Sequence, residues 1–171
     1  MISIENEELL KQSLSTGINL LTGAGFSVLA KNRNDESLPL VPRLIELIIS
    51  EYNLKEYSER GLSWLSKQIK RKKEKEYNLY LKSIYSVEKL DSRYECLSKI
   101  EIKNILTTNI DNLSEKIYDR IDGKYLNDTK LHGVLDSCEI NLYKLHGSVT
   151  YSYNEDMLFS TEELSGAFLR D

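Results

Sequence analysis

The sequence predicts an α/β fold: a parallel sheet flanked by helices, with a helical insertion between the first two strands. Three short runs rich in apolar residues, at 18–21, 100–106 and 139–145, have the length and composition of buried strands. Each run ends in glycine or small polar residues, and segments with helical periodicity lie between the runs. Alternating strands and helices indicate a parallel sheet, because parallel neighbours need a crossover connection.

The composition is that of one globular domain, which we expect to span residues 1–171. Apolar residues make up 40% and charged residues 29% of the chain, as in ordinary folded proteins. The net charge of −4 argues against a nucleic acid or a membrane surface as a direct partner. No apolar run reaches the roughly 18–20 residues that cross a bilayer. The acidic, amphipathic start differs from a signal peptide, so a cytoplasmic location is expected.

The two cysteines, Cys96 and Cys138, lie far apart in the sequence. Two isolated cysteines do not supply a four-cysteine zinc site, so the sequence predicts no zinc and no other metal site. A disulfide between them is not expected in the cytoplasm. Both residues are therefore predicted to be small, buried apolar side chains.

Periodicity and turn residues assign most of the remaining chain. Helices are predicted at 4–14 (against the sheet), 41–52, 58–88, 112–121 and 161–169, short strands near Tyr125 and at 150–154, and a polar loop at 31–37. The helical insertion spans about residues 41–99. In its basic segment, 67–76, glutamates are interleaved and aromatic residues do not alternate with the cations, which predicts a solvated helix face rather than a nucleic-acid site.

A glycine turn follows the first predicted strand. Gly23 and Gly25, separated by one alanine, allow the backbone to turn sharply and to approach a ligand closely. Residues 26–30 are predicted to begin a helix, whose N-terminal amides and dipole would face an anion such as a diphosphate. The alternative is a tight strand-to-helix connection without a ligand, since Val28 stands where a dinucleotide fingerprint has its third glycine.

Polar side chains follow the second and third predicted strands. Asn109 and Asp111 come after one strand and His146 after the other, and ligands of open α/β sheets bind at such carboxyl ends. The alternative for Asn109 and Asp111 is helix capping alone, and for His146 a structural role. His132 occurs in an identical KLHG segment, but His146 is favoured because it ends a strand.

Taken in order, the motifs GAGFS, TTNID and KLHGS resemble those of the sirtuin (SIR2) superfamily, specifically the SIR2-like branch found in bacterial NAD-consuming defence proteins. The resemblance implies a Rossmann-like domain that binds NAD. It implies catalytic roles for Asn109 and His146. It implies cofactor contacts for Gly23, Ala24, Gly25, Phe26, Ser27, Thr108, Asp111, Gly147 and Ser148. Thr108 replaces the family's glutamine and is assigned no catalytic role.

Three departures from deacetylating sirtuins refine that expectation. The PDFR motif after the glycine turn and the four-cysteine zinc ribbon are both missing. The chain also ends before the family's later strands, so a truncated domain without its C-terminal part is expected. His132 lies nearer to the sirtuin spacing from Asn109 than His146 does, which leaves His132 as the alternative catalytic histidine.

The resemblance implies hydrolysis of NAD⁺ to ADP-ribose and nicotinamide. Cleavage of the nicotinamide–ribose bond passes through an oxocarbenium-like state, and the leaving group is already cationic, so it needs no acid. Asp111 would hold the nicotinamide carboxamide, Asn109 would position a water or a ribose hydroxyl, and His146 would act as general base. The expected biological setting is bacterial antiviral defence, in a homo-oligomer or with a regulatory protein partner.

Two other functions remain open from the sequence. One is a sensor that binds NAD⁺ or ADP-ribose without hydrolysing it, and the other is a non-catalytic interaction module of a larger complex. Protein deacetylation is the least favoured enzyme activity, because the zinc site that supports a peptide groove is missing from the sequence.

Overall fold

The computed structural model describes residues 5–119, 126–128, 140–150 and 157–159. His132 and Cys138 lie outside these residues, as does the predicted helix at 161–169. Tyr125 is outside them too, but the short strand predicted near it is found at Leu126–Asp128. Of the predicted strand at 150–154, only Thr150 is described, and it lies in a bend.

The described residues contain ten α-helices and β-strands. In chain order they are α1 (Glu7–Thr16), β1 (Ile18–Thr22), β2 (Lys31–Asn32), α2 (Val41–Glu51), α3 (Leu62–Tyr85), β3 (Val87–Lys89), β4 (Ile102–Thr107), α4 (Leu113–Tyr118), β5 (Leu126–Asp128) and β6 (Ile140–Lys144). Short 3₁₀ turns lie at Ala24–Ser27, Lys55–Tyr57 and Ser92–Lys99.

The main sheet has four parallel strands in the order β1-β4-β6-β5. The strand register aligns Thr22 of β1 with Thr107 of β4 and Lys144 of β6. The three strands predicted from apolar runs are therefore adjacent, and they end side by side. The predicted α/β class, with a parallel sheet flanked by helices, is confirmed.

A first core covers one face of this sheet. Ile105 of β4 and Leu142 of β6 are buried there against Leu113 and Ile117 of α4. The four-residue spacing of Leu113 and Ile117 places both side chains on the same side of α4, as its periodicity predicted. This packing fixes the helix that directly follows the second polar strand end.

A row of asparagines crosses the opposite face. Asn19, Asn104, Asn141 and Asn127 occupy one register row through all four strands. Asn104 Nδ2 donates to Asn19 Oδ1 at 2.7 Å, and Asn141 Nδ2 donates to Asn104 Oδ1 at 3.0 Å. In-register side-chain amides pair in this way because parallel strands repeat the same geometry from one strand to the next.

The helical insertion has a core of its own. Leu44 and Ile48 of α2 pack with Leu65 and Leu81 of α3. This second core also takes in three residues from the site side of the molecule: Ile110, Val149 and Met157. The helix α3 is interrupted at Lys73, whose backbone is not helical, and the side chains of 71–76 are exposed as predicted. The insertion therefore supports the loops that follow β4 and β6.

Two predictions about packing at the start of the chain are wrong. The helix α1 forms, but none of its residues is buried, and Leu9 is 64% exposed, so it does not lie against the sheet as expected. β1 is parallel as predicted but lies at the edge of the sheet, where Leu21 is 73% exposed. Exposure alternates along this strand, and Leu21 lies on the same face as the exposed Asn19, away from the first core. With a single neighbouring strand, this face of β1 is left open.

The segment after the glycine turn also differs from its prediction. Residues 26–30 do not begin an α-helix, and the predicted loop at 31–37 contains β2, which pairs with β3 in a small antiparallel sheet. The buried Asn32 side chain accepts hydrogen bonds from the amides of Asn34 and Glu36. These bonds fold the chain into a turn. The helix predicted at 58–88 also ends early, at Tyr85, because residues 87 and 88 belong to β3.

Two smaller differences concern Cys96 and α4. Cys96 is exposed rather than buried, because it lies in the 3₁₀ turn Ser92–Lys99 with Tyr94 and Leu97 facing the core instead. The helix α4 ends at Tyr118, before the predicted limit of 121.

The asparagine row yields a stability prediction. Replacing Asn104 by alanine removes both hydrogen bonds and leaves the Asn141 amide without that partner in a buried position. We expect the free energy of unfolding to fall by about 1–3 kcal/mol in urea denaturation. Asn19→Ala is the matched control and should cost about 1 kcal/mol or less, because Asn19 is exposed and water replaces it. Equal losses in the two variants would contradict the role given to the row.

Candidate functional site

The polar strand ends meet at one edge of the main sheet. Because Thr22, Thr107 and Lys144 are aligned, the residues that follow them lie next to one another. Backbone hydrogen bonds continue past the strands: the Thr108 amide donates to Thr22 O at 3.2 Å, and the Leu145 amide donates to Thr107 O at 2.9 Å. The glycine turn, TTNID and HGS therefore emerge together, as the positions of carboxyl ends in a parallel sheet require.

The glycine turn is a single 3₁₀ turn, not the start of an α-helix. The Phe26 amide donates to Gly23 O at 2.8 Å, and the chain then leaves toward β2. The prediction that an α-helix begins here is therefore wrong, and the turn lacks the expected α-helix dipole. The Phe26 ring packs edge-on against Tyr94, with 5.6 Å between ring centroids. This contact holds the glycine turn against the 3₁₀ segment Ser92–Lys99.

Gly25 faces open space. A Cβ atom built at Gly25 meets no atom within 4 Å, and its backbone φ does not lie in the left-handed region. The fold itself therefore does not require glycine here. The neighbouring Ala24 and Thr108 are exposed as well. This leaves a surface where a ligand can approach the backbone closely.

Three buried polar side chains join the glycine turn to TTNID. The Ser27 hydroxyl donates to Asp111 Oδ2 at 2.7 Å. Asn109 Nδ2 donates to Ser27 Oγ at 2.9 Å and to Gly23 O at 3.0 Å. We call Ser27, Asn109 and Asp111 the polar clamp. It links residues more than 80 positions apart in sequence, so it fixes the turn against the end of β4.

The hydrogen bonds of the clamp define what Asn109 can offer a ligand. Both amide hydrogens of Asn109 are used, one by Ser27 and one by Gly23. No described residue donates to Asn109 Oδ1, so the side chain presents an acceptor only. Its backbone is held as well, because the Asn109 amide donates to Thr107 Oγ1 at 3.0 Å. The alternative that Asn109 is only a helix cap is wrong.

Asp111 does cap the following helix, and it holds Ser27 at the same time. Its Oδ1 accepts from the Leu113 amide at 3.0 Å, at the start of α4. Burial raises the pKa of the Asp111 carboxyl above its ordinary value, while the Ser27 hydroxyl, the Leu113 amide and Lys144 oppose that shift. Asp111 is 5% exposed. A carboxylate oxygen accepts more than one hydrogen bond, so both contacts leave lone pairs for a ligand amide.

A buried lysine ties the end of β6 to TTNID. Lys144 Nζ donates to the backbone oxygen of Asp111, to Glu115 Oε1 at 2.8 Å and to Ser148 Oγ at 2.9 Å. Its side chain is 5% exposed. Burial raises the pKa of the Glu115 carboxyl, and Lys144 opposes that shift. All three donor hydrogens of the ammonium are thus directed to fixed acceptors, so Lys144 locks the two strand ends together.

His146 has a defined tautomer. Its Nδ1 lies 2.6 Å from Leu158 O. A carbonyl oxygen only accepts, so Nδ1 carries the hydrogen and Nε2 of the neutral ring carries the lone pair. Gly147 follows with φ of 80°, a conformation that favours glycine, which explains the HG sequence in terms of the backbone. Ser148 is buried and bonded to Lys144 rather than facing the open edge.

The structure thus unites most of the site residues identified from the sequence. Asn109 and Asp111 contact the glycine turn directly, and Ser148 reaches Asp111 through Lys144. Among the described residues, no hydrogen bond joins His146 to the clamp. Sequence reasoning missed Lys144, Glu115 and Leu158. A cation ending an otherwise apolar strand was the available signal for Lys144, whereas Leu158 gave none.

Comparison with known families relates the later part of the chain to one described domain. Residues 103–169 match the family model described as a SIR2-like domain. That part of the chain is therefore similar to SIR2-like domains. The match confirms the resemblance and supports a sirtuin-superfamily, NAD-related function. The SIR2-like stretch includes TTNID and HGS, and the polar clamp connects it to the glycine turn, which lies before the match. Comparison with curated proteins finds no match.

No group of three or more histidine, cysteine, aspartate or glutamate side chains among the described residues is placed to hold a metal ion. No helix there has both the length and the apolar character needed to span a membrane.

The hydrogen bonds of Lys144 yield a second stability prediction. Lys144→Met leaves the Glu115 carboxylate buried without its cation, so we expect a loss of about 3–5 kcal/mol in the free energy of unfolding. Adding Glu115→Gln removes the uncompensated charge and should restore much of that loss. Urea denaturation at pH 7 measures the three variants.

The matched control is the exposed pair Arg43–Glu46, in which Arg43→Met should cost about 1 kcal/mol or less. A double variant whose loss equals the sum of the two single losses would show that Lys144 and Glu115 are not energetically coupled.

Proposed function

We propose that this chain hydrolyses NAD⁺ to ADP-ribose and nicotinamide at the edge formed by the glycine turn, TTNID and HGS. The observation that carries the proposal is the polar clamp. In the clamp, both amide hydrogens of Asn109 are bonded to protein acceptors, which leaves Oδ1 as a fixed acceptor at the carboxyl end of β4. A fixed acceptor of this kind suits a water or a ribose hydroxyl, each of which donates.

The surroundings of the clamp suit a dinucleotide. Gly25 has open space where a side chain would stand, so a diphosphate can approach the backbone of the turn. Ala24 and Thr108 are exposed beside it and offer small side chains. Asp111 is bonded to Ser27 of the same turn, and its carboxylate keeps lone pairs for the amide hydrogens of the nicotinamide carboxamide. These features support the contacts that the SIR2-like resemblance implies.

The reaction we propose breaks the bond between the ribose C1′ and the nicotinamide nitrogen. The bonding electrons leave with nicotinamide, which becomes neutral, and the ribose passes through an oxocarbenium-like state. Water attacks C1′ while Asn109 Oδ1 holds one of its hydrogens. His146 Nε2, which carries the lone pair, accepts the proton that the water loses. Among the two histidines we therefore assign the base to His146.

The wider setting rests on the resemblance and belongs to the same proposal. We place the reaction in a single SIR2-like domain in the cytoplasm, acting in bacterial antiviral defence. Control by assembly, either with further copies of the chain or with a regulatory protein, fits an NAD⁺-consuming activity that a cell must keep off until it is needed.

A sensor that binds NAD⁺ or ADP-ribose without turnover is the second candidate. One observation favours it: within the described residues, none of the hydrogen bonds of the clamp reaches His146. A site can then bind the dinucleotide without a base placed for hydrolysis.

Variants of the two histidines and of Asn109 test the proposal. We expect His146→Ala and Asn109→Ala each to lower nicotinamide release, measured by chromatography, with the far-UV circular dichroism spectrum unchanged. General-base catalysis is worth about 10²–10⁴ in rate, so the His146 variant should lose activity on that scale. His132→Ala is the matched control, and its turnover should stay at the level of the unmodified chain.

Calorimetric titration with ADP-ribose separates the alternatives. Binding without nicotinamide release by the unmodified chain would establish the sensor instead. If the unmodified chain neither binds ADP-ribose nor releases nicotinamide, the remaining interpretation is a non-catalytic interaction module. Full activity in both His146→Ala and Asn109→Ala would show that the catalytic site does not lie at this edge.

A further inference from the structure

A three-residue segment, residues 157–159, holds His146 in place. Leu158 exchanges two hydrogen bonds with it: the Leu158 amide donates to His146 O at 3.0 Å, and His146 Nδ1 donates to Leu158 O, 2.6 Å away. The first bond fixes the position of the backbone and the second fixes the tautomer. Anything that positions the 157–159 segment therefore also sets which ring nitrogen of His146 is free to accept a proton.

The helical insertion positions this segment. Lys70 of α3 donates from Nζ to the backbone oxygen of Met157 at 2.6 Å. The Met157 side chain is 3% exposed and packs in the second core with α3 residues, and Phe159 packs against the same core. The neighbouring Ile69 is buried there too, so Lys70 projects from a well-anchored turn of the helix, before the interruption at Lys73.

We propose that Lys70 is a positioning residue for His146: by holding Met157 O, it keeps Leu158 O against Nδ1 and so keeps Nε2 unprotonated and able to act as a base. This inference rests on the proposed function for its catalytic meaning. The geometry itself does not depend on it, because the tautomer can be observed without any substrate.

The direction of the effect follows from imidazole chemistry. In water, neutral histidine favours the tautomer with the hydrogen on Nε2, so the Nδ1–H form in this protein needs the acceptor that Leu158 supplies. Without Lys70, the carbonyl of Met157 loses this cationic donor, while the apolar packing of the 157–159 segment and the hydrogen bond from the Leu158 amide to His146 O remain. The Leu158 oxygen is then less firmly held, and the Nε2–H tautomer, which accepts no proton there, gains population.

Nitrogen NMR of the imidazole rings tests this inference on the full chain. The protein is labelled with ¹⁵N-histidine and studied without ligand at a pH where free imidazole is neutral, and His132→Gln identifies the His146 signals. We expect the unmodified chain to show Nδ1–H for His146. Lys70→Met should shift the ¹⁵N values toward Nε2–H, and Lys70→Arg, which keeps a cationic donor, should stay close to the unmodified chain.

Lys72→Met is the matched control, because Lys72 lies on the exposed side of the same helix, and it should leave the His146 spectrum unchanged. If Lys70→Met does not fold, the spectrum of the unmodified chain and the milder Lys70→Gln still decide the matter. An Nε2–H tautomer in the unmodified chain would overturn the proposal, as would an unchanged Nδ1–H signal in a folded Lys70 variant.

Kinetics add a second readout that a merely structural role would not give. If NAD⁺ is hydrolysed, Lys70→Met should lower kcat with KM little changed, and by no more than His146→Ala does. A tautomer shift in a chain that releases no nicotinamide would support the role of Lys70 and count against the proposed function alone. Equal loss of kcat in Lys72→Met would overturn the assignment to Lys70.

Discussion

The hydrogen bond from the Ser27 hydroxyl to Asp111 is the contact on which the site depends. It brings the turn after β1 against the end of β4, and Asn109 completes the connection by donating to Ser27 and to Gly23 O. Parallel strands deliver these segments to one edge, but only specific side chains fix their spacing. Since the three residues are buried, their polar groups need partners. The clamp and the Leu113 amide supply these partners to every side-chain polar atom except Asn109 Oδ1, to which no described residue donates.

Both hydrophobic cores support this edge, each through a different part of the chain. The first packs α4 on the sheet and so places Asp111 at the start of a fixed helix. The second fills the space between α2 and α3 and extends to Ile110, Val149 and Met157. These three residues belong to the segments that carry Asn109, His146 and Leu158. The helical insertion thus stabilises the functional loops by burying the apolar residues next to Asn109, His146 and Leu158.

The sequence predicted the main sheet well because its signals are local. Apolar runs with polar ends at 18–21, 100–106 and 139–145 appear as adjacent parallel strands, and the spacing of Leu113 and Ile117 predicted α4. Contacts that depend on distant partners were not predictable. β2 forms only because β3 lies opposite, and α1 stays exposed although its pattern is amphipathic. Likewise, the roles of Ser27 and Lys144 become visible only when residues distant in sequence are brought together.

The central claim is that the edge formed by β1, β4 and β6 binds the dinucleotide. Titration of the ¹⁵N-labelled chain with ADP-ribose, followed by backbone amide shifts, tests it most directly. The expected result is saturable shifts concentrated at Ala24, Gly25, Thr108 and Gly147. Saturable shifts confined to α1 or to the β2–β3 sheet, with those four amides unmoved, would contradict the claim.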